Sequence, residues 1–432
     1  MKRIVPLLLA AVILLSGCGS AGSTAAGDLD MEKIAAAAAP KLGVSNAVEG
    51  TGVYPQWDEG NDILDAASLE PSYGADFVFM TVTQQQSSAK TSAGTTAFTC
   101  QYDEVAVESR RYPDQAQRIS DQLGVYLRRR QEQADRQEDE ALEACRDADD
   151  AGEAFYSWSS FCDVTAQRID DAYVSVVAYN SVYLGGAHSD SDQAAMNFDL
   201  ASGSLMSLSS IFKTKYKEQI LDKLLHELSE LESSFMLFDG YEATVREKFE
   251  QMPADMTQNW YLTDRGVVFF YNPYEISPYA SGVVSVELSY AELVGYLRDD
   301  FVWPSRDQKG ENALLAVTQT GGIKRGDYDR VVTLDLGSGS ELTITAEGEL
   351  RNLRVELVQL AGDNVVSSNL LLAANRFTDQ EALLLELPGD GASGTSTAGL
   401  RLRYDIAYRE NITQVYSIGP DGVTLVEQAN NN

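Results

Sequence analysis

Tyr173-Val174-Ser175-Val176-Val177-Ala178-Tyr179-Asn180-Ser181-Val182-Tyr183 is the stretch on which the fold turns. β-Branched and aromatic residues dominate it, and its side chains alternate with period two. Tyr173, Ser175, Val177, Tyr179, Ser181 and Tyr183 share one face; Val174, Val176, Ala178, Asn180 and Val182 share the other. Both faces carry packing residues, so the pattern predicts a central strand with helices on one side and partial cover on the other.

Upstream, Phe77–Val82, Phe98–Val107 and Trp158–Arg168 read as further strands, with a Ser/Thr/Gly loop at Ser87–Thr96. Tyr112-Pro113-Asp114 opens a long helix whose buried stripe is Ile119, Leu123, Tyr126 and Leu127. From Arg128 to Glu140 that stripe vanishes, and Arg128/Glu132, Glu132/Arg136 and Arg136/Glu140 form i,i+4 pairs. The expectation is a solvated helix projecting roughly 20 Å, with a partner-reading arm as the rival. Downstream, Tyr216, Ile220, Leu224, Leu228 and Leu231 make the core face of a helix over Tyr216–Leu231. Trp260–Leu262 and Val267–Tyr271 flank Asp264-Arg265-Gly266 as a hairpin, followed by a strand at Val283–Leu288 and a short helix at Tyr290–Leu297.

Trp303-Pro304 and the polar run Ser305–Asn312 mark a boundary. Beyond it come strands at Leu314–Thr318, Val331–Leu336, Leu342–Thr345, Leu353–Leu360, Leu370–Ala373, Leu400–Tyr408 and Val423–Val426. Short strands at regular spacing fit a sandwich. The fold class is therefore α+β: a mixed or antiparallel sheet with packed helices, then an all-β, sandwich-like C-terminal domain. Residues 1–18 read as a signal segment, 19–75 as a tether with a weakly structured lead-in, 76–303 as the α/β domain, and 310–432 as the β-rich domain.

At the N-terminus, Lys2 and Arg3 precede about a dozen mostly apolar residues and then Leu15-Ser16-Gly17-Cys18. This fits the recognition box of bacterial lipoproteins, in which Cys18 becomes the lipid-modified N-terminus. The expected location is extracytoplasmic, with the protein held to the cell membrane by acyl chains. The formal charge of the chain is −32, with 65 acidic against 33 basic residues. Such a surface repels nucleic acid and anionic head groups and steers cationic partners towards it.

Four cysteines are present; Cys100, Cys145 and Cys162 remain after Cys18. Cys100 and Cys162 lie in strand-like segments flanking the long helix, and a bridge between them is one expectation and free thiols the other. No CxxC pair or Cys/His cluster argues for a metal, and no nucleophile elbow, zinc-protease motif or phosphate-binding loop occurs, so no cofactor and no catalytic set is assigned. His226 lies between Asp222 and Glu230 on its helix and reads as a surface residue. His188 is more informative. It follows Gly185 and Gly186 at a strand end, with Asp190 beside it, and the loop Tyr274-Glu275-Ile276-Ser277-Pro278-Tyr279 is placed to face it.

Two stretches carry a resemblance. Tyr183-Leu184-Gly185-Gly186-Ala187-His188 leads to Asn197-Phe198-Asp199-Leu200, a turn at Gly203, and Leu208-Ser209-Ser210-Ile211-Phe212. Phe269-Phe270-Tyr271-Asn272-Pro273-Tyr274-Glu275-Ile276-Ser277-Pro278-Tyr279-Ala280-Ser281-Gly282 then precedes Val286, Leu288 and Tyr290-Ala291-Glu292-Leu293. Their order and spacing resemble the extracytoplasmic domain of RsiV-type anti-sigma factors, which also precedes the catalytic part of PdaC-type peptidoglycan deacetylases. The best-known member of that family binds lysozyme. The resemblance implies an envelope-facing binding domain and no particular ligand; the residues themselves offer Gly185, Gly186, His188, Asp190, Tyr274, Glu275 and Tyr279 as candidate contacts. A lysozyme-like protein, which the acidic charge suits, or a cell-wall glycan is the expected ligand. The rivals are a wall-modifying hydrolase centred on His188, Asp190 and Glu275, and a structural scaffold lipoprotein.

Overall fold

The computed structural model describes residues 77–251, 258–304, 314–319, 325–337, 341–387, 397–406, 409–419 and 422–430. The signal segment with Cys18 and the tether 19–75 lie outside the described residues. In chain order the first half runs β1 (Val78–Lys90), β2 (Thr96–Ser109), α1 (Pro113–Ala151), β3 (Trp158–Ile169), β4 (Tyr173–Tyr183), β5 (Asp190–Asp199) and β6 (Ser204–Leu205). Then follow α2 (Lys217–Phe235), α3 (Tyr241–Gln251), β7 (Trp260–Leu262), β8 (Gly266–Tyr271), β9 (Val284–Ser289) and α4 (Tyr290–Leu293). Apart from a short 3-10 turn at Arg325–Asp327, the regular elements among the described residues of the second half are strands: β10 (Leu314–Gln319), β11 (Arg330–Asp335), β12 (Glu341–Glu347), β13 (Leu350–Ala361), β14 (Asn364–Phe377), β15 (Glu381–Glu386), β16 (Thr397–Ile406), β17 (Arg409–Gly419) and β18 (Gly422–Asn430).

Period-two alternation on β4 does what its sequence demands. Val174, Val176 and Ala178 pack with Ile119 and Leu123 of α1, while Val177 on the opposite side packs with Ala195, Phe270 and Val283. One side of β4 thus lies on a helix, and part of the other lies under the three-stranded sheet β7-β8-β9. That small sheet closes its own core with α2 and α3, through Ile220, Leu224, Leu228, Val245, Trp260 and Phe269.

The large sheet continues across the boundary at Trp303-Pro304. Its order is β18-β17-β16-β13-β14-β1-β2-β3-β4-β5-β6, and the join is β1 with β14, antiparallel, with Phe79 opposite Ala374. Phe77 and Phe79 therefore belong to the core of the second half, packed among Leu342, Ile344, Leu372 and Leu385. There the sheet β10-β12-β15-β11 faces the large sheet as the second layer of a sandwich.

The long helix corrects one expectation. α1 does not project as charged helix beyond Leu127. Ala134, Gln137, Ala141 and Cys145 remain buried along it. Ala134, Ala141 and Cys145 pack against Ala97, Phe98 and Cys100 of β2. The stripe persists at helical spacing but is made of small residues, which let helix and strand backbones approach closely and leave little hydrophobic signal in the sequence.

Gly266 shows why one turn residue is fixed. Its φ is not positive; what requires glycine is the approach of the neighbouring strand. A Cβ here would collide with the carbonyl oxygen of Leu288 on β9. Gly266→Ala is expected to destabilise the protein by about 1–3 kcal/mol through overpacking, read as a lower urea midpoint at unchanged slope.

Candidate functional site

The loop after β4 begins on Trp158. Gly185 adopts φ +80, and a Cβ there would stand 3.0 Å from Trp158 Nε1, so glycine lets the chain turn over the indole. The loop then presents His188, whose ring stacks on Tyr279 with centroids 4.0 Å apart and planes 22° apart. Tyr279 Oη donates to the Ser189 carbonyl at 2.6 Å, and His188 Nδ1 lies 2.9 Å from the same oxygen. One carbonyl therefore fixes both rings.

The facing loop after β8 is braced from within. Asn272 clamps β5 twice: Gln193 N donates to its Oδ1 at 2.7 Å, and its Nδ2 donates to Gln193 O at 3.0 Å. Glu275 Oε2 accepts from Asn272 N at 3.0 Å and from Asn259 Nδ2 at 3.3 Å, and Glu275 Oε1 pairs with Lys248 Nζ at 2.9 Å. Tyr274 pivots between them at φ 70, a conformation non-glycine residues rarely adopt. Its ring is 57% exposed and lies 5.8 Å from that of Tyr279.

Gly185, Gly186, His188, Tyr274 and Tyr279 thus meet on one shelf. Glu275 is spent inside its own loop. Asp190 stands elsewhere, because strand alternation groups it with Asp192, opposite Val182 and Asn180 in the ladder. Asp192 faces α1, pairing with Arg130 at 3.1 Å and accepting from Asn180 at 3.0 Å. His226 is exposed on α2, away from the shelf.

The expected bridge between Cys100 and Cys162 is not formed. All three cysteines in the described residues are free and buried. The parallel register sets Cys100 beside Ser160 and Cys162 beside Tyr102, two residues out of step along the ladder, whereas a disulfide needs closely opposed Cβ atoms. Burial, reinforced by Asp135 and Glu138, pushes the Cys100 thiol up to about 11. Burial, then Asp103, pushes Cys162 up further still. Neither is a thiolate nucleophile at neutral pH.

Sequence reading missed a pair of interior carboxylates next to the shelf. Asp103 is buried, and its Oδ2 accepts from Val164 N at 2.7 Å where the β2–β3 ladder ends. Burial, then Asp163, pushes its carboxyl up to about 8. Asp163 is also raised by burial, against the opposing effect of the Gln101 amide donating at 2.9 Å. Tyr179 sits opposite Asp163 in the ladder. Its phenol is raised by burial, with Tyr279 and Asp163 acting in the same direction and the Ser191 and Ser181 hydroxyls against it. Asp163 is thus the ladder neighbour of Tyr179, whose phenol is in turn within electrostatic reach of Tyr279. The available signal was an aspartate inside each of two otherwise strand-like runs, where aspartate is disfavoured.

The raised Asp103 value sets a pH dependence. Folding holds a proton on this carboxyl that the unfolded chain releases near 3.8, so its stabilisation is complete below that value and is lost as pH rises towards 8. Asp103→Asn is expected to flatten the decline in urea midpoint between pH 5 and pH 8. A variant profile parallel to the native one would contradict the assignment.

Among the described residues no three His, Cys, Asp or Glu side chains gather as a metal site, and no helix is long and apolar enough to cross a membrane. Residues 209–291, from the turn before α2 into α4, match the DUF3298 family, described as a protein of unknown function, so a DUF3298 domain lies within the α/β half. No curated protein matches the chain. Solved structures similar to it include two DUF3298 proteins. One is a DUF3298 family member from Bacteroides fragilis NCTC 9343, 19% identical, with TM-score 0.39, covering 51% of this chain and 94% of that one. The other is a DUF3298 family protein from Pseudomonas aeruginosa PAO1, 17% identical, with TM-score 0.33, covering 52% and 97%.

Proposed function

We propose that this chain is a lipid-anchored, extracytoplasmic protein of the bacterial cell envelope that binds or senses a ligand without transforming it. In this reading Cys18 carries the acyl chains, residues 19–75 lift the folded part off the membrane, and the shelf of His188, Tyr274 and Tyr279 meets the ligand. The observation that carries it is the ring stack itself. Two aromatic side chains are locked on one carbonyl, and a third is held outward by strained backbone. Rings fixed before a ligand arrives lose little entropy on contact, and tyrosine combines apolar area with a polar tip.

Two further points support binding over turnover. The groups that a hydrolase centred on His188 would use do not converge: Asp190 belongs to the α1 side and Glu275 is engaged by Lys248 and Asn259. The resemblance to RsiV-type domains also favours recognition outside the cell. The formal charge of −32 favours a neutral or cationic ligand. Full-length protein in detergent is expected to retain peptidoglycan fragments or a basic wall hydrolase, and Tyr279→Ala to weaken retention about tenfold. Equal retention by both proteins would remove the shelf from the account. Palmitate labelling is expected to disappear in Cys18→Ala.

A further inference from the structure

A chain of side-chain hydrogen bonds crosses the large sheet from β14 in the second half of the molecule to Asp163 on β3, beside Tyr179 of β4. Asn369 Nδ2 on β14 donates to Gln84 Oε1 on β1 at 3.0 Å. Gln86 Nε2 donates to the same oxygen at 3.2 Å and to Gln101 Oε1 on β2 at 3.1 Å. Gln101 Nε2 donates in turn to Asp163 Oδ1 on β3 at 2.9 Å, and Asp163 stands opposite Tyr179 on β4. Five adjacent strands each contribute at least one polar side chain, a path of roughly 19 Å at the usual strand spacing. All six residues are half-buried or exposed.

This lane begins where the hydrophobic cover ends. Val177 shares its side of β4 with Tyr179 and is sealed beneath Phe270 and Val283. Beyond it the same side carries Tyr179 and then the carboxylate and amides. A solvent-facing sheet is ordinarily strewn with charged residues of both signs; here neutral amides follow one another and orient each other. Each amide in the lane keeps donor or acceptor capacity beyond the bonds named, because an Asn or Gln side chain offers two donors and a two-lone-pair acceptor.

We propose that this lane is the docking track for a neutral polysaccharide strand, whose hydroxyl and acetamido groups bond the amides and Asp163 while a terminal sugar ring packs on Tyr279. The proposal rests on the binding-protein reading above and names its ligand class. Planar amides and a carboxylate in series suit successive hydroxyl pairs. None of the six residues is cationic, so the track offers nothing to a phosphate or carboxylate, and the net charge of the chain repels a polyanion. A protein partner fits less well, because the lane lacks the apolar centre that anchors such interfaces.

The test is calorimetric titration of the full-length protein in detergent with three probes: β-1,4-linked N-acetylglucosamine hexamer, β-1,4-linked glucose hexamer, and cytochrome c as a basic protein. Binding of at least one hexamer is expected, with affinity about tenfold lower in Gln101→Ala and in Gln86→Ala, whose side chain is exposed and whose loss leaves the fold intact. Failure of both hexamers to bind overturns the proposal. So does hexamer binding that Tyr279→Ala abolishes while both lane variants match the native protein; that result leaves the shelf reading standing. Cytochrome c bound in place of the hexamers, and weakened by the lane variants, assigns the track to protein instead and also overturns it.

Discussion

Arg168→Ala is expected to cost about 3–5 kcal/mol of folding stability, the range for removing one partner of a buried charge pair. Arg168 is 3% exposed at the end of β3. Its Nε meets Asp170 at 2.6 Å, its Nη1 donates to Tyr290 Oη at 2.9 Å, and its Nη2 donates to the Val302 carbonyl at 2.7 Å. The guanidinium also lies 4.8 Å from the Tyr173 ring centroid and 5.6 Å from that of Phe301. One side chain therefore fastens the β3–β4 turn to the segment that ends the α/β half. Truncation leaves half-buried Asp170, which accepts from the backbone amides of Ala172 and Tyr173, without its counter-ion. Arg168→Lys is expected to recover little, since an ammonium cannot reproduce a planar fork with three divergent partners. Urea unfolding measures both variants; a loss below about 1 kcal/mol for Arg168→Ala would show that the turn does not depend on this charge.

Glu356→Gln is expected to cost about 3 kcal/mol at neutral pH, with a signature that acidification removes. Glu356 is 5% exposed on β13. Arg401 grips it with two nitrogens at 2.6 and 3.1 Å, and Arg403 Nη2 reaches it at 2.8 Å. Burial alone would raise its carboxyl, but Arg403 and Arg401 outweigh burial and hold it below the ordinary glutamate value of 4.5. A depressed folded value means that the stabilisation is present above pH 4.5 and lost as pH falls through the folded value. The gap in urea midpoint between native protein and Glu356→Gln should therefore be widest at neutral pH and close on acidification below 4.5. A gap independent of pH would assign the loss to packing rather than to charge. Arg401 also donates to Ser368 Oγ at 2.9 Å, so Arg401→Met is expected to affect β14 as well as β13.

These two clusters lie at contacts that sequence reading cannot supply. Local periodicity was legible: β4 alternates as written, the Ile220–Leu224–Leu228 stripe makes the core face of α2, and the Gly266 hairpin forms. Tertiary pairing was not. Phe79 meets Ala374 across nearly the whole described chain, and nothing within either strand names its partner, because a ladder is written in backbone hydrogen bonds common to all residues. Small residues hid the buried stripe in the distal half of α1, where alanine and cysteine interleave with charges. α3 was passed over although Tyr241, Val245 and Phe249 recur at helical spacing and are buried, because charged residues fill most positions between them; β15 is too short to carry a period.

For the site, the His188 and Tyr274–Tyr279 loops were legible because glycine, proline and clustered tyrosine interrupt strand patterning. Their meeting follows from the register of β4 and β5 with the Asn272 clamp. Asp190 was misplaced by counting along the sequence rather than across the sheet: His188 lies in the loop before β5, whereas Asp190 opens that strand opposite Val182 and so shares the α1 side with Asp192. The amide lane was invisible for a related reason. Gln84, Gln86, Gln101, Asp163 and Asn369 come from four strands, and only the folded sheet sets them in a line.

Holding rather than transforming is the claim that organises this account, and ligand mass tests it most directly. Full-length protein is incubated with a fragmented cell-envelope extract, washed, and its bound ligand released and weighed by mass spectrometry against the same species before exposure. The account predicts a ligand recovered with unchanged mass, at close to one per protein chain, and about tenfold depleted in Tyr279→Ala. Recovery of shortened or chemically altered fragments in excess of the protein, abolished by substitution of Asp103, Asp163 or His188, would contradict it.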